Sequence, residues 1–443
     1  MRQSDAGGSV ANAESQLQFS FAKVLARHFS GSMRPGLVIA YSGGLDSHVL
    51  LNTAVHWRRQ HPRASVRAIY IDHGLQAPSA DWALHCEAVC EAAGVLFSNI
   101  KVDVPVGNDQ SPEEAARKAR YLALEQHLEA GECLLTAHHA DDQAETLMLQ
   151  LMRGAGVRGL AAMPERRSMG KGFHLRPFLD VTRATLLRVA QHWKLRWVED
   201  PSNLENRYSR NLLRNSIMPL LKERWPATAV NLSRSASHCA EAAELNRQLA
   251  KMDLDQSVCD KTLPVELLSG LSWLRRKNAL RYWIEHHGFQ PPSTAQLERI
   301  DCDLIFAAAE SSGQVSFGRA QIRRYRTHMY LAVRENFAQT PPFNYVWRDR
   351  QTDLLIAETG DTLKAAQLNL PWLKDDQPVT ICSRSGGERI RLTGRLQSHS
   401  VKSLLQQKGI PPWQRNRLPF VYVDDQLVGV IGIGFSDKPC GDI

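Results

Sequence analysis

Gly36-Leu37-Val38-Ile39-Ala40-Tyr41 runs directly into Ser42-Gly43-Gly44-Leu45-Asp46-Ser47, and a helix-forming stretch follows from His48 through Arg59. A strand, a Ser/Gly turn and a helix start in this order make a phosphate loop of a particular kind. Two glycines let the backbone approach an anion closely, the hydroxyls of Ser42 and Ser47 add donors, and the helix start presents unpaired N–H groups with a favourable dipole. The lysine of G-x-x-x-x-G-K-S/T is missing, so this is not the loop that cradles a γ-phosphate for ordinary NTP hydrolysis. Nor does it fit G-x-G-x-x-G.

Around the loop, strand and helix patterns alternate. An amphipathic helix over 16–30 carries Leu17, Phe21, Val24, Leu25 and Phe29 at helical spacing. Strands are predicted over 65–71, 95–104, 132–136 and 174–179, and helices over 81–93, 141–153 and 182–195. Another helix is unusually well marked: Ser111 as N-cap, Pro112 at its first position, Glu113 and Glu114 in its first turn and Gly131 at its end. This rhythm implies an α/β fold with a doubly wound parallel sheet, whose ligands collect at the carboxyl ends of the strands. The expected organisation is a catalytic domain over 1–226, a mainly helical middle domain over 227–340, a linker over 341–376 opened by Thr340-Pro341-Pro342, and a small α+β domain over 377–443. In the middle domain, Trp273, Leu274, Leu280 and Ile284 are the expected buried face of a helix over 271–287.

The 443 residues suffice for two to three domains with a sizeable core. A net charge of +8 and a pI near 9.1 favour a polyanionic partner without specifying one. Eight scattered cysteines with no C-x-x-C read as buried reduced thiols of a cytosolic protein. No signal-peptide pattern and no long apolar run is present, so no membrane association is expected.

Three clusters sit at predicted strand ends. In the first, Asp46 lies too close to bound phosphate to be tolerated without a shielding cation, and Mg²⁺ suits a site of one or two carboxylates plus phosphate oxygens. Asp72-His73-Gly74-Leu75 is the second, and alone it could be a simple turn. The third is Ala137-His138-His139-Ala140-Asp141-Asp142-Gln143-Ala144-Glu145-Thr146. On a helix Asp142 and Glu145 share a face, as do Asp141 and Glu145, and such acids repel unless a cation or basic ligand sits among them. Helix-dipole capping would explain one acid but not the two histidines, which can bind phosphate, orient a nucleophile or ligate a metal. If the chain is still extended there, only one of His138 and His139 faces the site. Zinc is poorly served, because no third and fourth ligands have matching spacing. Arg117 can reach a phosphate or pair with Glu113. Further on, Arg207, Arg210 and Arg214 fall at i, i+3, i+7; a helix would align them, beside Tyr208, as a stripe for an RNA backbone or as a solvated face.

Together these residues resemble the tRNA(Ile)-lysidine synthetase family, within the PP-loop ATP pyrophosphatase superfamily. The resemblance runs through Ser42–Ser47, Asp72–Leu75, Glu113-Glu114-Ala115-Ala116-Arg117, the His138-to-Thr146 run, Arg153-Gly154-Ala155-Gly156 and Arg207–Arg214. It continues through Gly387-Glu388-Arg389, Lys402-Ser403-Leu404-Leu405 and Gly409-Ile410-Pro411-Pro412-Trp413-Gln414-Arg415. It implies that lysine is joined to C2 of the wobble cytidine (position 34) of an isoleucine tRNA with a CAU anticodon, through an adenylated intermediate, with release of pyrophosphate and AMP. The resemblance also implies that Ser42, Gly43, Gly44, Leu45, Asp46 and Ser47 bind ATP, and that Asp46, Asp142 and Glu145 hold Mg²⁺. His138 or His139, with Arg117, would act on the charge that develops during AMP transfer, and Arg207, Arg210, Arg214, Lys402, Trp413 and Arg415 would contact tRNA. A cytoplasmic enzyme is expected, and a homodimer is compatible with the sequence. The rival reading is another PP-loop tRNA-modifying enzyme, a thiolase or an amidating ligase; the lack of C-x-x-C and of a glutaminase portion speaks against both.

Overall fold

The computed structural model describes residues 4–29, 36–72, 74, 79–103, 112–201, 205–308, 313–337, 340–368, 370–374, 377–395 and 397–437. His73, Leu75, the Ser111 cap and Asn203 lie outside the described residues, as does the Glu113 side chain. The chain forms two compact units, Met1–Leu245 and Asn246–Ile443.

The first unit is built on β1 (Gly36–Ala40), β2 (Ser65–Asp72), β3 (Leu96–Lys101), β4 (Glu132–Leu135), β5 (Arg166–Met169) and β6 (Gly172–Leu175), in the order β3-β2-β1-β4-β6-β5. All neighbours are parallel except β5, which runs antiparallel to β6 at the edge. An edge hairpin of this kind is absent from the alternating pattern: its strands span only Arg166–Met169 and Gly172–Leu175, and the first is mostly exposed. Strand β1 is a continuous apolar run because both faces of the sheet are covered. Leu37 and Ile39 join the core that includes Phe21, Val49 and Leu50, whereas Val38 joins Ile69, Leu124 and Leu134 on the opposite face. The helices are α1 (Ser4–His28), α2 (Leu45–Gln60), α3 (Ser79–Ala92), α4 (Pro112–Gln126), α5 (Ala140–Met152), α6 (Val157–Leu160) and α7 (Arg183–His192). Because β1 neighbours both β2 and β4, the winding reverses between β1 and β4, and the loops that leave their carboxyl ends flank one crevice.

In the second unit the helix expected over 271–287 spans Trp273–His286, and Val265–Ser269 and Thr294–Ile300 are further helices. They share a core with a four-stranded antiparallel sheet ordered Thr262–Pro264, His328–Val333, Ala320–Tyr325, Gln314–Phe317. Its strands are short, and Ala320–Tyr325 carries two arginines, which hid it: Arg324 is buried by donating Nη1 to the carbonyls of Leu304, Ile305 and Ala307. On helix Trp273–His286 the buried face is Arg276, Ala279, Leu280, Trp283 and Ile284, and Leu274 is exposed, contrary to expectation. At 100° per residue Leu274 lies about 120° away from Leu280, and Arg276 takes the inward position by pairing with Asp301.

A third correction concerns the segment expected as a linker over 341–376. Asn344–Trp347 is the first strand of a five-stranded sheet, paired antiparallel to Val379–Cys382, and Phe343, Trp347, Ile356, Leu363 and Leu370 are buried in its core. The double proline marks a turn into a domain, whose first strands, Asn344–Trp347, Leu354–Ile356 and Asp361–Leu363, are short enough to escape a reading by pattern. Helix Val401–Gln407 is capped by the Ser400 hydroxyl, which accepts from Ser403 N–H.

Candidate active site

The loop between β1 and α2 has the conformation its glycines permit. Gly43 has φ +75°, and a Cβ there would sit 2.8 Å from Cys86 Sγ. Its carbonyl accepts from Val198 N–H at 3.0 Å, pinning the loop from the far end of the unit. Gly44 caps α2 without a side chain, so the N–H groups of the first turn have no capping partner. Ser42 and Ser47 approach each other, Oγ to Oγ at 3.1 Å, and Ser47 Oγ donates to Gly44 O at 3.0 Å. Beside the loop lies a cavity of about 170 Å³ lined by Tyr41, Ser42, Asp46, Ser47, Arg120 and His138, with Asp142 at its margin.

Across the crevice, the chain leaves β4 at Leu135 and starts α5 at Ala140. His139 is the N-cap, and its Nδ1 accepts from Asp142 N–H at 3.4 Å while Asp142 Oδ2 accepts from His139 N–H at 3.1 Å. The same ring presents Nε2 3.6 Å from Asp46 Oδ2 and 3.5 Å from Asp142 Oδ2. Burial disfavours charge on His139, but Asp142, Asp46 and Asp141 outweigh it and its pKa is raised. His138 lines the cavity, and its pKa lies well below the ordinary value because burial removes water from the charged form. Both histidines therefore reach the site: residues 136–138 are no longer a strand, so the alternation of faces does not apply.

The acids are not equivalent. Asp141 accepts from Lys222 Nζ at 2.6 Å and Arg183 N–H at 2.8 Å, so it ties α5 to neighbouring segments. Glu145 is almost fully buried and takes Arg210 Nε at 2.8 Å and Arg214 Nε at 2.7 Å, one on each oxygen. Asp142 Oδ1 takes Nη2 of the same two arginines at 3.1 and 2.9 Å. Burial opposes ionisation of Asp142, yet His139, Arg210 and Arg214 hold its pKa far below the carboxylate range. Asp46 differs again: its Oδ1 is buried with no hydrogen-bond partner among the described residues.

This geometry corrects the expected arginine stripe. The helix begins only at Ser209 and passes into a π-helical turn over Leu213–Ile217, so Arg207 lies outside it. Arg210 and Arg214 turn inward to the acids, and only Arg207 stays exposed, over the Tyr208 ring and paired with Glu205 at 2.6 Å. Arg117 is exposed on α4 with its guanidinium over Tyr121, whereas Arg120, one turn on, lines the cavity. Arg120 has no ion pair or hydrogen bond among the described residues, and burial lowers its pKa. Spacing alone does not choose between the two arginines; their exposure does, with Arg117 in solvent and Arg120 at the cavity. In the second unit Lys402 is exposed, but Arg415 donates to Ile410 O and Tyr325 Oη. Trp413 packs edge-on against Tyr325, Tyr330 and Phe337. Among the described residues, no group of three or more His, Cys, Asp or Glu forms a metal cage.

Comparison with known proteins agrees in order and extent. Residues 13–221 match the family model of the PP-loop domain, residues 263–330 that of the TilS substrate binding domain, and residues 379–442 that of the TilS substrate C-terminal domain. A tRNA(Ile)-lysidine synthase of Coxiella burnetii is 42% identical over 406 residues, 90% of either chain. The enzyme of that name from Methylococcus capsulatus is 39% identical over 416 residues, 91% of this chain and 93% of its own. Among solved structures, a U34-tRNA thiolase from Methanococcus maripaludis is 18% identical over 52% of this chain and 80% of its own, with a TM-score of 0.44. With relatives this similar along nearly the whole length, the chain belongs to the tRNA(Ile)-lysidine synthase family.

Proposed function

We propose that this protein is an ATP-dependent ligase that joins lysine to C2 of the wobble cytidine of an isoleucine tRNA with a CAU anticodon. The observation that carries the reading is the convergence, at the β1/β4 crevice, of an anion loop, an arginine with no partner among the described residues, and a histidine beside ionised carboxylates. In the first step the cytidine C2 oxygen attacks the α-phosphorus of ATP and pyrophosphate leaves. In the second the lysine amine attacks C2 and AMP leaves.

Ser42, Ser47 and the N–H groups of Gly43, Gly44 and Leu45 would hold the phosphates, with Arg120 supplying the positive charge assigned to Arg117 from the sequence. Asp46, whose Oδ1 has no partner among the described residues, fits a hard divalent cation, whereas Asp142 would join it only by giving up a bond from Arg210, Arg214 or His139 N–H. Mg²⁺ bound there would neutralise phosphate charge. Glu145 does not fit as a ligand, because both its oxygens already accept from arginines. It is a positioning residue that holds Arg210 and Arg214. His138, in the cavity wall, would donate to charge that develops during AMP transfer. Arg207 and Lys402 remain the exposed candidates for tRNA phosphates. No helix among the described residues is long and apolar enough to cross a membrane, and we place the protein in the cytoplasm with its tRNA.

The test is incorporation of radiolabelled lysine into a CAU-anticodon isoleucine tRNA transcript with ATP. Incorporation that is lost when the wobble cytidine is replaced by uridine supports the reading. No incorporation by folded protein into the cytidine-bearing transcript overturns it.

A further inference from the structure

His138 reaches the cavity with one ring nitrogen already engaged. Its Nδ1 lies 2.7 Å from Thr136 Oγ1, and the same oxygen lies 2.8 Å from Nε2 of His174. The other nitrogen of His174, Nδ1, lies 3.2 Å from Arg176 Nη2, and Arg176 Nη1 donates to Pro164 O at 2.6 Å. Thr136, His174 and Arg176 are 8%, 0% and 4% exposed. Buried, none of them can exchange its partner for bulk water.

The direction of each bond follows from donor counting. A guanidinium only donates, so His174 Nδ1 must be the bare, accepting nitrogen. His174 is then neutral with its proton on Nε2, which donates to Thr136 Oγ1. The threonine hydroxyl has one proton, and the only acceptor it has among the described residues is His138 Nδ1. His138 Nδ1 is therefore bare too, and the ring proton sits on Nε2, which has no protein partner among the described residues and belongs to the cavity wall.

We propose that Arg176, His174 and Thr136 form a one-way hydrogen-bond relay that fixes His138 as the Nε2–H tautomer and aims that N–H into the cavity. They are positioning residues, and the relay makes His138 a neutral donor rather than a proton shuttle. The pKa values agree: burial, then Arg176, pulls His174 down to about 3, and burial holds His138 well below its ordinary value. A fixed donor aimed at developing charge needs no reorganisation during the reaction. This use of the relay rests on the function proposed above, whereas the tautomer itself does not.

The tautomer is read directly by long-range ¹H–¹⁵N spectra of full-length protein containing ¹⁵N-labelled histidine, with the His138 signals identified by their loss in His138→Gln. The relay requires a protonated Nε2 and a bare Nδ1 at neutral pH. An Nδ1–H tautomer or an imidazolium overturns it, whatever the activity. The kinetic arm compares two disruptive variants with two that preserve the bonds. Thr136→Val and His174→Phe remove links. Thr136→Ser keeps the hydroxyl, and His174→Gln offers a carbonyl to Arg176 and an amide N–H to Thr136. With substrate tRNA and ATP, the disruptive pair should lower kcat for pyrophosphate release about tenfold to a hundredfold with little change in KM for ATP, a range typical of lost orienting partners. The conservative pair should stay within about threefold of the wild type. Equal losses in both pairs would reduce the relay to packing. Wild-type protein that shows the required tautomer yet releases no pyrophosphate would contradict the proposed function and leave the relay standing.

Discussion

Arg214 grips Glu145 through Nε at 2.7 Å and Nη2 at 3.0 Å, while the same Nη2 reaches Asp142 Oδ1 at 2.9 Å. A buried acid that looks like a metal ligand in the sequence is thus satisfied by arginine. Glu145→Gln would leave Arg210 and Arg214 short of a charge and should destabilise the first unit by about 3–5 kcal/mol, the usual result of removing one partner of a buried ion pair. Asp46→Asn should leave Tm within a few degrees of the wild type, since Oδ1 has no partner among the described residues and Oδ2 has only the 3.6 Å contact with His139 to lose, but should raise the Mg²⁺ concentration needed for pyrophosphate release. Thermal melts and a Mg²⁺ titration of both variants separate the two roles; a melt unchanged by Glu145→Gln would contradict the assignment.

Gly43→Ala should abolish productive ATP binding. The left-handed φ of +75° costs a non-glycine residue about 1–2 kcal/mol, and the added methyl meets Cys86 Sγ at 2.8 Å. Relief of either strain moves the loop. Isothermal titration with ATP should show at least a tenfold loss of affinity; wild-type affinity would show that the loop conformation is not needed.

The basic residues should divide by what they touch. Arg207→Ala and Lys402→Ala should leave Tm unchanged and each lower the log–log salt slope of tRNA binding by about 0.7–0.9, one phosphate contact apiece. Trp413→Ala should instead lower Tm, because three edge-on ring contacts of about 0.5–1.5 kcal/mol each are lost. A Trp413→Ala variant with normal Tm and reduced tRNA affinity would return that residue to the RNA surface.

Acid should unfold the first unit by protonating α5. Burial opposes the charge of Asp141, but Arg183 N–H and Lys222 hold its pKa below normal; Asp142 is lowered as well. A depressed folded pKa gives stability that is complete well above the unfolded value of about 3.9 and disappears as pH falls through the folded value. Tm should therefore fall from its neutral plateau in two stages: below about pH 6.5, where the unfolded chain protonates His138 and His174 while the fold keeps them neutral, and again below about pH 4 as the aspartates protonate. Asp141→Asn should lower the plateau and make the acid drop shallower. An identical pH profile for the variant would rule out this linkage.

Much of the first unit is legible in the sequence because its signals are local. The β1 run, the glycines of the loop and the Thr182 cap of α7, which accepts from Thr185 N–H at 3.2 Å, act over a few residues. What stayed hidden depends on contacts far apart in the chain. Arg210 and Arg214 are 65 or more positions from the acids they satisfy, so their spacing suggested a surface stripe. The relay needs Thr136, just past the end of β4, and His174 on β6, 38 positions apart, to be brought together by the sheet. Trp413 meets Tyr325 and Tyr330 only after the second unit has folded.

The bond of ATP that is broken tests the central claim most directly. Purified protein, CAU-anticodon isoleucine tRNA, lysine and α-labelled ATP should yield AMP in proportion to lysine incorporated, with no accumulation of ADP, because the loop lacks the lysine that serves γ-phosphate transfer. Production of ADP, or lysine incorporation without AMP, would contradict the account.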